Sequence, residues 1–386
     1  MTAGTLAGAP PAASPAPGGR IDDGRLNTAK VAGGLLGMAL VVWAIANLFL
    51  AFAYYPGWFL DNKVVIGVLA VIAGVGGAIV FFYFLHMFVD GLPRRLSQGV
   101  IPYAFLWPGF ALIGLMLLYP AIQTVVYSFA NRDSTAWVGV QNYQTIFGDG
   151  TFWDSMVNNV LWLLLVPAVT VALGVVVAVL ADKLSAQGEK VVKSAVFLPM
   201  AISFVGASAI WGLVYQYQDA SRSQTGLLNA IAVAVGGDPQ TWLQVSSARL
   251  NSILLMVILV WLQVGFSMVL LSSAIKGVPD DTLEAARIDG ASELQIFWRV
   301  IIPQIKGTII TVFITVLITV LKVFDIVYVL TNGNYRTNVI ANLFFNKMFA
   351  DSEAGVASAI VVILLLAILP VLVYQVKQFR DAEASR

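Results

Sequence analysis

The most regular feature of this sequence is a series of long apolar stretches separated by short polar segments. A helix needs about 20 mostly apolar residues to cross the hydrocarbon core of a bilayer. Because lipid offers the backbone no hydrogen-bond partner, each stretch must be a helix rather than an open strand. Eight stretches are long enough, which predicts an all-α polytopic membrane protein with spans at Val31–Ala53, Val64–His86, Ile101–Tyr127, Val157–Ala181, Val192–Tyr215, Ser252–Ala274, Thr308–Val329 and Gly355–Val376.

These spans divide the chain into four regions. Residues 1–30 begin with an Ala-, Pro- and Gly-rich stretch that cannot bury a core, so we expect a disordered terminus. Residues 31–100 hold two N-terminal spans, residues 101–380 a six-span core, and residues 381–386 a short tail. Five prolines lie inside or near spans and are expected to kink the helices rather than end them: Pro108, Pro120, Pro167, Pro199 and Pro370.

Composition supports the membrane assignment and excludes several kinds of site. Apolar residues make up 59% of the chain and charged residues 11%, against about 25% charged residues in soluble domains. With so few charged residues, the expected surroundings of the protein are lipid. The formal net charge of +1 gives no electrostatic field that would attract nucleic acid. The chain has no cysteine and one histidine, His86, which leaves little material for a metal site or a catalytic triad.

Basic residues are distributed unevenly between the two sides of the membrane. Loops rich in Lys and Arg stay in the cytoplasm. Six basic residues fall on the side that is poor in them: Lys63, Arg132, Arg222, Arg249, Arg336 and Lys347. Fifteen fall on the other side, which also carries both termini: Arg20, Arg25, Lys30, Arg94, Arg95, Lys183, Lys190, Lys193, Lys276, Arg287, Arg299, Lys306, Lys377, Arg380 and Arg386. Both termini are therefore predicted to be cytoplasmic.

Two long external loops, 128–156 and 216–251, are accompanied by aromatic residues. One interpretation is the aromatic belt at the membrane interface, and the other is a docking surface for an extracellular partner. The residues concerned are Tyr127, Trp137, Trp153, Trp211, Tyr215, Tyr217 and Trp242.

The cytoplasmic segment 275–307, between spans six and seven, is the least like a membrane span. Asp280 or Asp281 is placed to cap a short helix that Asp289–Gly290 would end. A second short amphipathic helix begins at Ser292, and Pro303 is placed to end it. One interpretation of this segment is an interfacial helix that lies along the lipid headgroups. Two short helices joined at a sharp corner better fit a protrusion that inserts into the groove of a partner protein.

The residues of this segment resemble the EAA loop of bacterial ATP-binding-cassette (ABC) importers. The matching residues are Glu284-Ala285-Ala286, Gly290 and Ile301-Ile302-Pro303, in the right loop and on the right side of the membrane. In that family the loop is the coupling helix that docks onto the ATPase subunit. The resemblance implies this role for Glu284, Ala285, Ala286, Asp289, Gly290 and Pro303.

Two further stretches are similar to the maltose-type sugar permeases, and to the α-glucoside permeases above all. They are residues 324–333 and the pair of motifs at 226–229 and 242–243. The similarity covers residues 103–380, which implies a type I importer core in spans three to eight with two added N-terminal spans. The family implies a second permease subunit, an ATPase dimer, an extracellular substrate-binding protein and a sugar substrate. The external loop after span three departs from the family because it is too short for the large folded domain that some maltose permeases carry there.

The sequence contains no GxxxxGK followed by Ser or Thr, the motif that cradles the phosphates of ATP. We therefore expect no enzyme activity and no cofactor on this chain, with ATP and Mg²⁺ bound by the partner ATPase.

A sugar needs hydrogen-bonding groups and aromatic faces at membrane depth. Span six supplies Gln263, Phe266 and Ser267, and span seven carries a polar stripe that includes Thr315 and Thr319. We expect Gln263, Ser267, Thr315 and Thr319 to share one cavity with span five. The threonines could instead serve helix packing.

Lys322 and Asp325 continue the polar stripe of span seven toward its outer end. A charge inside the membrane is costly, so we expect the two to pair at i, i+3. The pair could line or gate the path, or it could be structural.

Three alternatives remain open at this stage. A membrane glycosyltransferase would use clustered carboxylates such as those of segment 275–307. A secondary transporter would need no ATPase, and usually shows inverted repeats. A permease of the same type could carry another solute.

Overall fold

The computed structural model describes residues 26–219 and 221–384. These residues form helices joined by short loops, and within them the only β-structure is an isolated bridge between Ala130 and Trp137. The all-α prediction is confirmed. The chain divides after Pro120 into two compact units. Most of the segment predicted to be disordered lies outside the described residues, as do residues 385 and 386, whereas Thr28–Lys30 already belong to the first helix.

The first unit is built on a helical hairpin of α1 (Thr28–Tyr54) and α2 (Lys63–Asp90), followed by α3 (Arg94–Ile113). Asn27 caps α1 by accepting a hydrogen bond from Lys30 N, and Asn62 caps α2 in the same way from Val64 N. The helices are apolar on all sides and leave most large side chains exposed, which is what lipid contact requires.

The second unit contains the core. Its long helices are α6 (Gly150–Asp182), α10 (Leu250–Lys276) and α17 (Ala354–Ala384), and α6 packs closely along α10. The side chains buried between them include Trp162, Leu259 and Leu262. The remaining helices of this part are α4 (Tyr119–Tyr127), α5 (Gln141–Gly148), α7 (Ala186–Phe197), α8 (Phe204–Val214), α9 (Leu227–Ala234), α11 (Asp280–Ile288), α12 (Glu293–Ile296), α13 (Ile302–Gln304), α14 (Lys306–Leu321), α15 (Asp325–Leu330) and α16 (Ile340–Phe345).

In the described part of the chain, six helices are long and apolar enough to cross a membrane, and two bent helix pairs bring the number to eight if each pair is one span. Pro108, Pro167 and Pro370 lie inside continuous helices, as predicted. Spans one to four, six and eight are each found as one helix. Most bounds lie within a few residues of the predicted ones, but span four begins at Gly150 rather than at Val157.

Span five is not the kinked but continuous helix that we predicted. After α7 a short 3₁₀ turn, Leu198–Ala201, contains Pro199, and α8 then starts at an angle of 106°. Pro199 cannot donate a backbone hydrogen bond, and Ile202 and Ser203 are extended. The Ser203 hydroxyl then accepts a hydrogen bond from Gly206 N and starts a new helix.

Span seven is interrupted as well. Helix α14 ends at Leu321, and its last turn tightens because Lys322 N bonds to Thr319 O and Val323 N to Val320 O. Phe324 has non-helical backbone angles, and α15 starts at Asp325. Asp325 therefore does not continue the helical stripe above Lys322.

Helix α10 reaches this region because Gly265 has no side chain. A Cβ at residue 265 would clash with the backbone of Val196 and Phe197, in the last turn of α7. The close approach places the middle of α10 beside the break in span five.

Candidate functional site

The segment between α10 and α14 folds into two short helices joined at a corner. Gly290 has φ +79°, a left-handed conformation that favours glycine. Ser292 caps α12 by accepting from Gln295 N, and the Gln295 side chain accepts from Ser292 N. The N-cap of α11 is Pro279, so the predicted cap at Asp280 or Asp281 is wrong. Both carboxylates lie in the first turn, where they complement the helix dipole.

One ion pair fixes the corner. Arg287 Nε donates to Glu293 Oε1 at 2.9 Å, which ties α11 to α12. The hydrogen bond to Glu293 raises the pKa of the Arg287 guanidinium above its ordinary value.

The corner exposes apolar side chains to the outside. Ile288 is 86% exposed, Leu294 69% and Trp298 60%. The sequence-predicted residues Glu284, Ala285, Asp289, Gly290 and Pro303 are also exposed, and Ala286 is half-buried. Large exposed apolar groups on a protrusion are typical of a protein interface.

A second candidate site is a cavity of about 450 Å³ at the break in span five. Gln263, at the middle of α10, and Asp325, at the start of α15, bring their polar side chains to it. The other lining residues come from the break itself: Met200, Ile202, Ser203, Phe204 and Val205.

Two of the three polar side chains that line this cavity, those of Gln263 and Asp325, are free to bind a ligand. Within the described residues, neither the Gln263 amide nor the Asp325 carboxylate makes a hydrogen bond or an ion pair. Lys322 is exposed, and the structure has no ion pair between it and Asp325, so the predicted pairing is wrong. The pairing fails because the helix is interrupted between the two residues.

The structure does not place Gln263, Ser267, Thr315 and Thr319 in the one shared cavity that we expected from the sequence. Ser267 is buried against Gly174 of α6, and its hydroxyl has no partner among the described residues. The hydroxyls of Thr315 and Thr319 donate to the carbonyls of Thr311 and Thr315 on their own helix. Phe266 is half-buried beside Gln263. Of the four residues, only Gln263 lines the cavity at the helix break.

A network of charges that the sequence did not reveal joins three helices at the ends nearest segment 275–307. Lys193 of α7 donates to Asp182 of α6 at 3.2 Å, and also to Glu189 and Ser272. Glu189 accepts from Lys276 at the end of α10 as well. The Glu189–Lys193 spacing of i, i+4 was visible in the sequence, but the links to α6 and α10 depend on the fold.

A second network lies at the opposite ends of α6 and α10. Asp154 accepts from Arg249 at 3.0 Å and from Arg336 at 2.8 Å. Asn158, one turn further along α6, accepts from Arg249 and donates to the carbonyls of Arg336 and Asn338. This network holds the loop that follows α15.

Comparisons with known proteins agree with this geometry. A family model described as the binding-protein-dependent transport system inner membrane component matches residues 150–380. The chain is 40% identical over 330 residues to the alpha-glucoside transport system permease protein AglF of Rhizobium meliloti, covering 82% of this chain and 97% of AglF. It is 47% identical over 282 residues to the osmoprotective compounds uptake permease protein GgtC of Synechocystis sp., covering 73% of this chain and all of GgtC.

A solved structure shows the same fold. A bacterial ABC transporter involved in the import of alginate superposes with a TM-score of 0.63 at 22% identity, covering 74% of this chain and 99% of that one. The resemblance found in the sequence is thereby confirmed. The family model covers more than half of the chain and both relatives exceed 30% identity, so the chain belongs to the binding-protein-dependent transport system inner membrane components, the permease subunits of ABC importers.

Proposed function

We propose that this chain carries a sugar of the α-glucoside type through the inner membrane, as one of the two permease subunits of an ATP-driven importer. The observation that carries the proposal is the cavity at the broken spans, where Gln263 and Asp325 are free of protein partners. Free amide and carboxylate groups at the middle of a membrane protein are costly unless a ligand or water uses them. Sugar hydroxyls can donate to both groups and accept from the amide.

The relatives support the class of substrate. AglF is named for α-glucosides, and another relative, MsmF of Streptococcus mutans, is named for multiple sugar binding and transport. Membership of the permease family decides against the secondary transporter and the membrane glycosyltransferase. A second permease, an ATPase dimer and a substrate-binding protein complete the importer in this proposal, and ATP with Mg²⁺ is bound by the ATPase.

The corner at Gly290 is the surface that would receive the ATPase. It is exposed and apolar at its tip. The chain returns from it through Glu293–Gln304, the first half of the bent pair whose second half is Lys306–Leu321. Movement of the corner would therefore be transmitted to α14 and to the break at its outer end.

The proposal places both termini and the corner in the cytoplasm. The excess of basic residues on that side supports this orientation.

Gln263→Leu should lower the rate of sugar uptake, because it removes the amide from the cavity. Loss of a hydrogen bond costs about 1–3 kcal/mol, or about 5- to 150-fold in affinity. Thr319→Val is the matched control, since the hydroxyl it removes is already bonded to Thr315 O. The measurement is maximal rate and half-saturation in vesicles containing the complete importer. If both substitutions changed sugar uptake equally, the cavity would not be part of the sugar path.

Gly290→Leu should abolish ATP-driven uptake while leaving the chain in the membrane, because leucine resists the left-handed conformation of the corner. Glu284→Lys should do the same by reversing an exposed charge on the proposed docking surface. Gly67→Leu is a control in a helix where a side chain meets no neighbour. Normal transport with both loop variants would contradict the coupling role.

Cysteine labelling tests the orientation of the chain in the membrane. Because the chain has no native cysteine, only the introduced residue can react. Ser185→Cys should react with a membrane-impermeant maleimide only in inside-out vesicles, and Ser223→Cys only in intact cells. Both positions are exposed, so access depends on the side of the membrane alone. The reverse pattern would overturn the orientation.

A further inference from the structure

The cavity at the broken spans has an unusual electrostatic composition. Of its seven lining residues, three are aliphatic or thioether side chains, one is aromatic, and Ser203 and Gln263 are polar but uncharged. Asp325 completes the lining and is its only ionisable residue.

 The aliphatic and thioether residues are Met200, Ile202 and Val205, and the aromatic residue is Phe204. The cavity therefore carries a single negative charge on otherwise neutral walls.

No cation of the described residues balances this charge. Asp325 forms no ion pair within 4.0 Å, and Lys322 does not line the cavity. The basic residues at the two ends of the core are engaged elsewhere: Arg249 and Arg336 pair with Asp154 outside, and Lys193 and Lys276 pair with Asp182 and Glu189 inside. Among the lining residues, Asp325 therefore determines the electrostatic potential in the cavity.

We infer that Asp325 makes this cavity selective for uncharged sugars and excludes sugars that carry a carboxylate. The inference rests on the proposed function, because it concerns the same cavity. A carboxylate accepts hydrogen bonds from two neighbouring hydroxyls of a sugar ring, and the Gln263 amide can both donate and accept beside it. A uronic acid would instead bring a second negative charge between apolar walls, where repulsion is screened less than in water.

This inference separates the chain from its structural neighbour. The transporter with the same fold is involved in the import of alginate, which is an acidic polysaccharide, but at 22% identity only the fold is shared. An unpaired carboxylate in the path is unsuited to such a polymer.

The first experiment measures the field directly. Val205→Cys introduces the only thiol of the chain into the cavity lining, in the complete importer reconstituted in liposomes. Its reaction rates are compared for a cationic trimethylammonium and an anionic sulfonate methanethiosulfonate reagent. Ser223→Cys, on an exposed loop, gives the reference ratio and shows that each variant is inserted.

We expect the cation-to-anion rate ratio at Val205→Cys to exceed the reference by at least about tenfold, because the reagent enters a weakly screened cavity beside a carboxylate. Adding Asp325→Asn should bring the ratio to within about twofold of the reference, whereas Asp325→Glu should preserve it because the charge is kept. A ratio that does not change with Asp325→Asn would overturn the inference.

The second experiment uses two sugars that differ only at C6, which is a hydroxymethyl group in one and a carboxylate in the other. Methyl α-glucoside should slow the reaction of Val205→Cys with a neutral methanethiosulfonate, and methyl α-glucuronide should not. In the Asp325→Asn variant this difference should disappear, and in Asp325→Glu it should remain. Protection by both sugars, or by neither, in the chain with Asp325 would overturn the inference. The proposed function is tested separately, because normal sugar uptake by the Gln263→Leu variant would contradict it.

Discussion

The structure depends on one constraint, which is that a backbone inside the membrane must satisfy its own hydrogen bonds. A break in a transmembrane helix is tolerated only where caps and neighbouring groups replace the lost bonds, or where the break lines a cavity. Both conditions are met here. Ser203 caps the second half of span five, the end of α14 tightens into shorter-range bonds, and the two breaks contribute to the same cavity.

The placement of charges follows from the same constraint. Ion-paired networks lie at the two ends of the core, where they fasten α6 to α10 and to the loops. Such pairs leave no charge uncompensated at low dielectric. Asp325 is different because it lies in the cavity without a partner. The contrast between paired charges at the ends and a free carboxylate between them is the physical basis for treating the cavity as the sugar path.

The sequence predicted the parts of this fold that depend on local composition. The length of the apolar stretches predicted the continuous spans. The turn-forming residues predicted the corner at Gly290 and the start of a helix at Ser292. It failed at the breaks, because Pro199 inside an apolar run is compatible with a kink as well as with an end. The pairing of Lys322 with Asp325 assumed a continuous helix and failed with it. Links such as Asp182 to Lys193 join separate helices and cannot be read from one sequence.

The most direct test asks whether the break in span five is reached from both sides of the membrane. Ile202→Cys places a thiol on the cavity lining, in a chain that has no other. In the complete importer, a membrane-impermeant thiol reagent should modify it from outside when the ATPase is trapped with ATP and vanadate. Without nucleotide the same thiol should be modified from the cytoplasmic side. A thiol that reacts from neither side in either state would contradict the account.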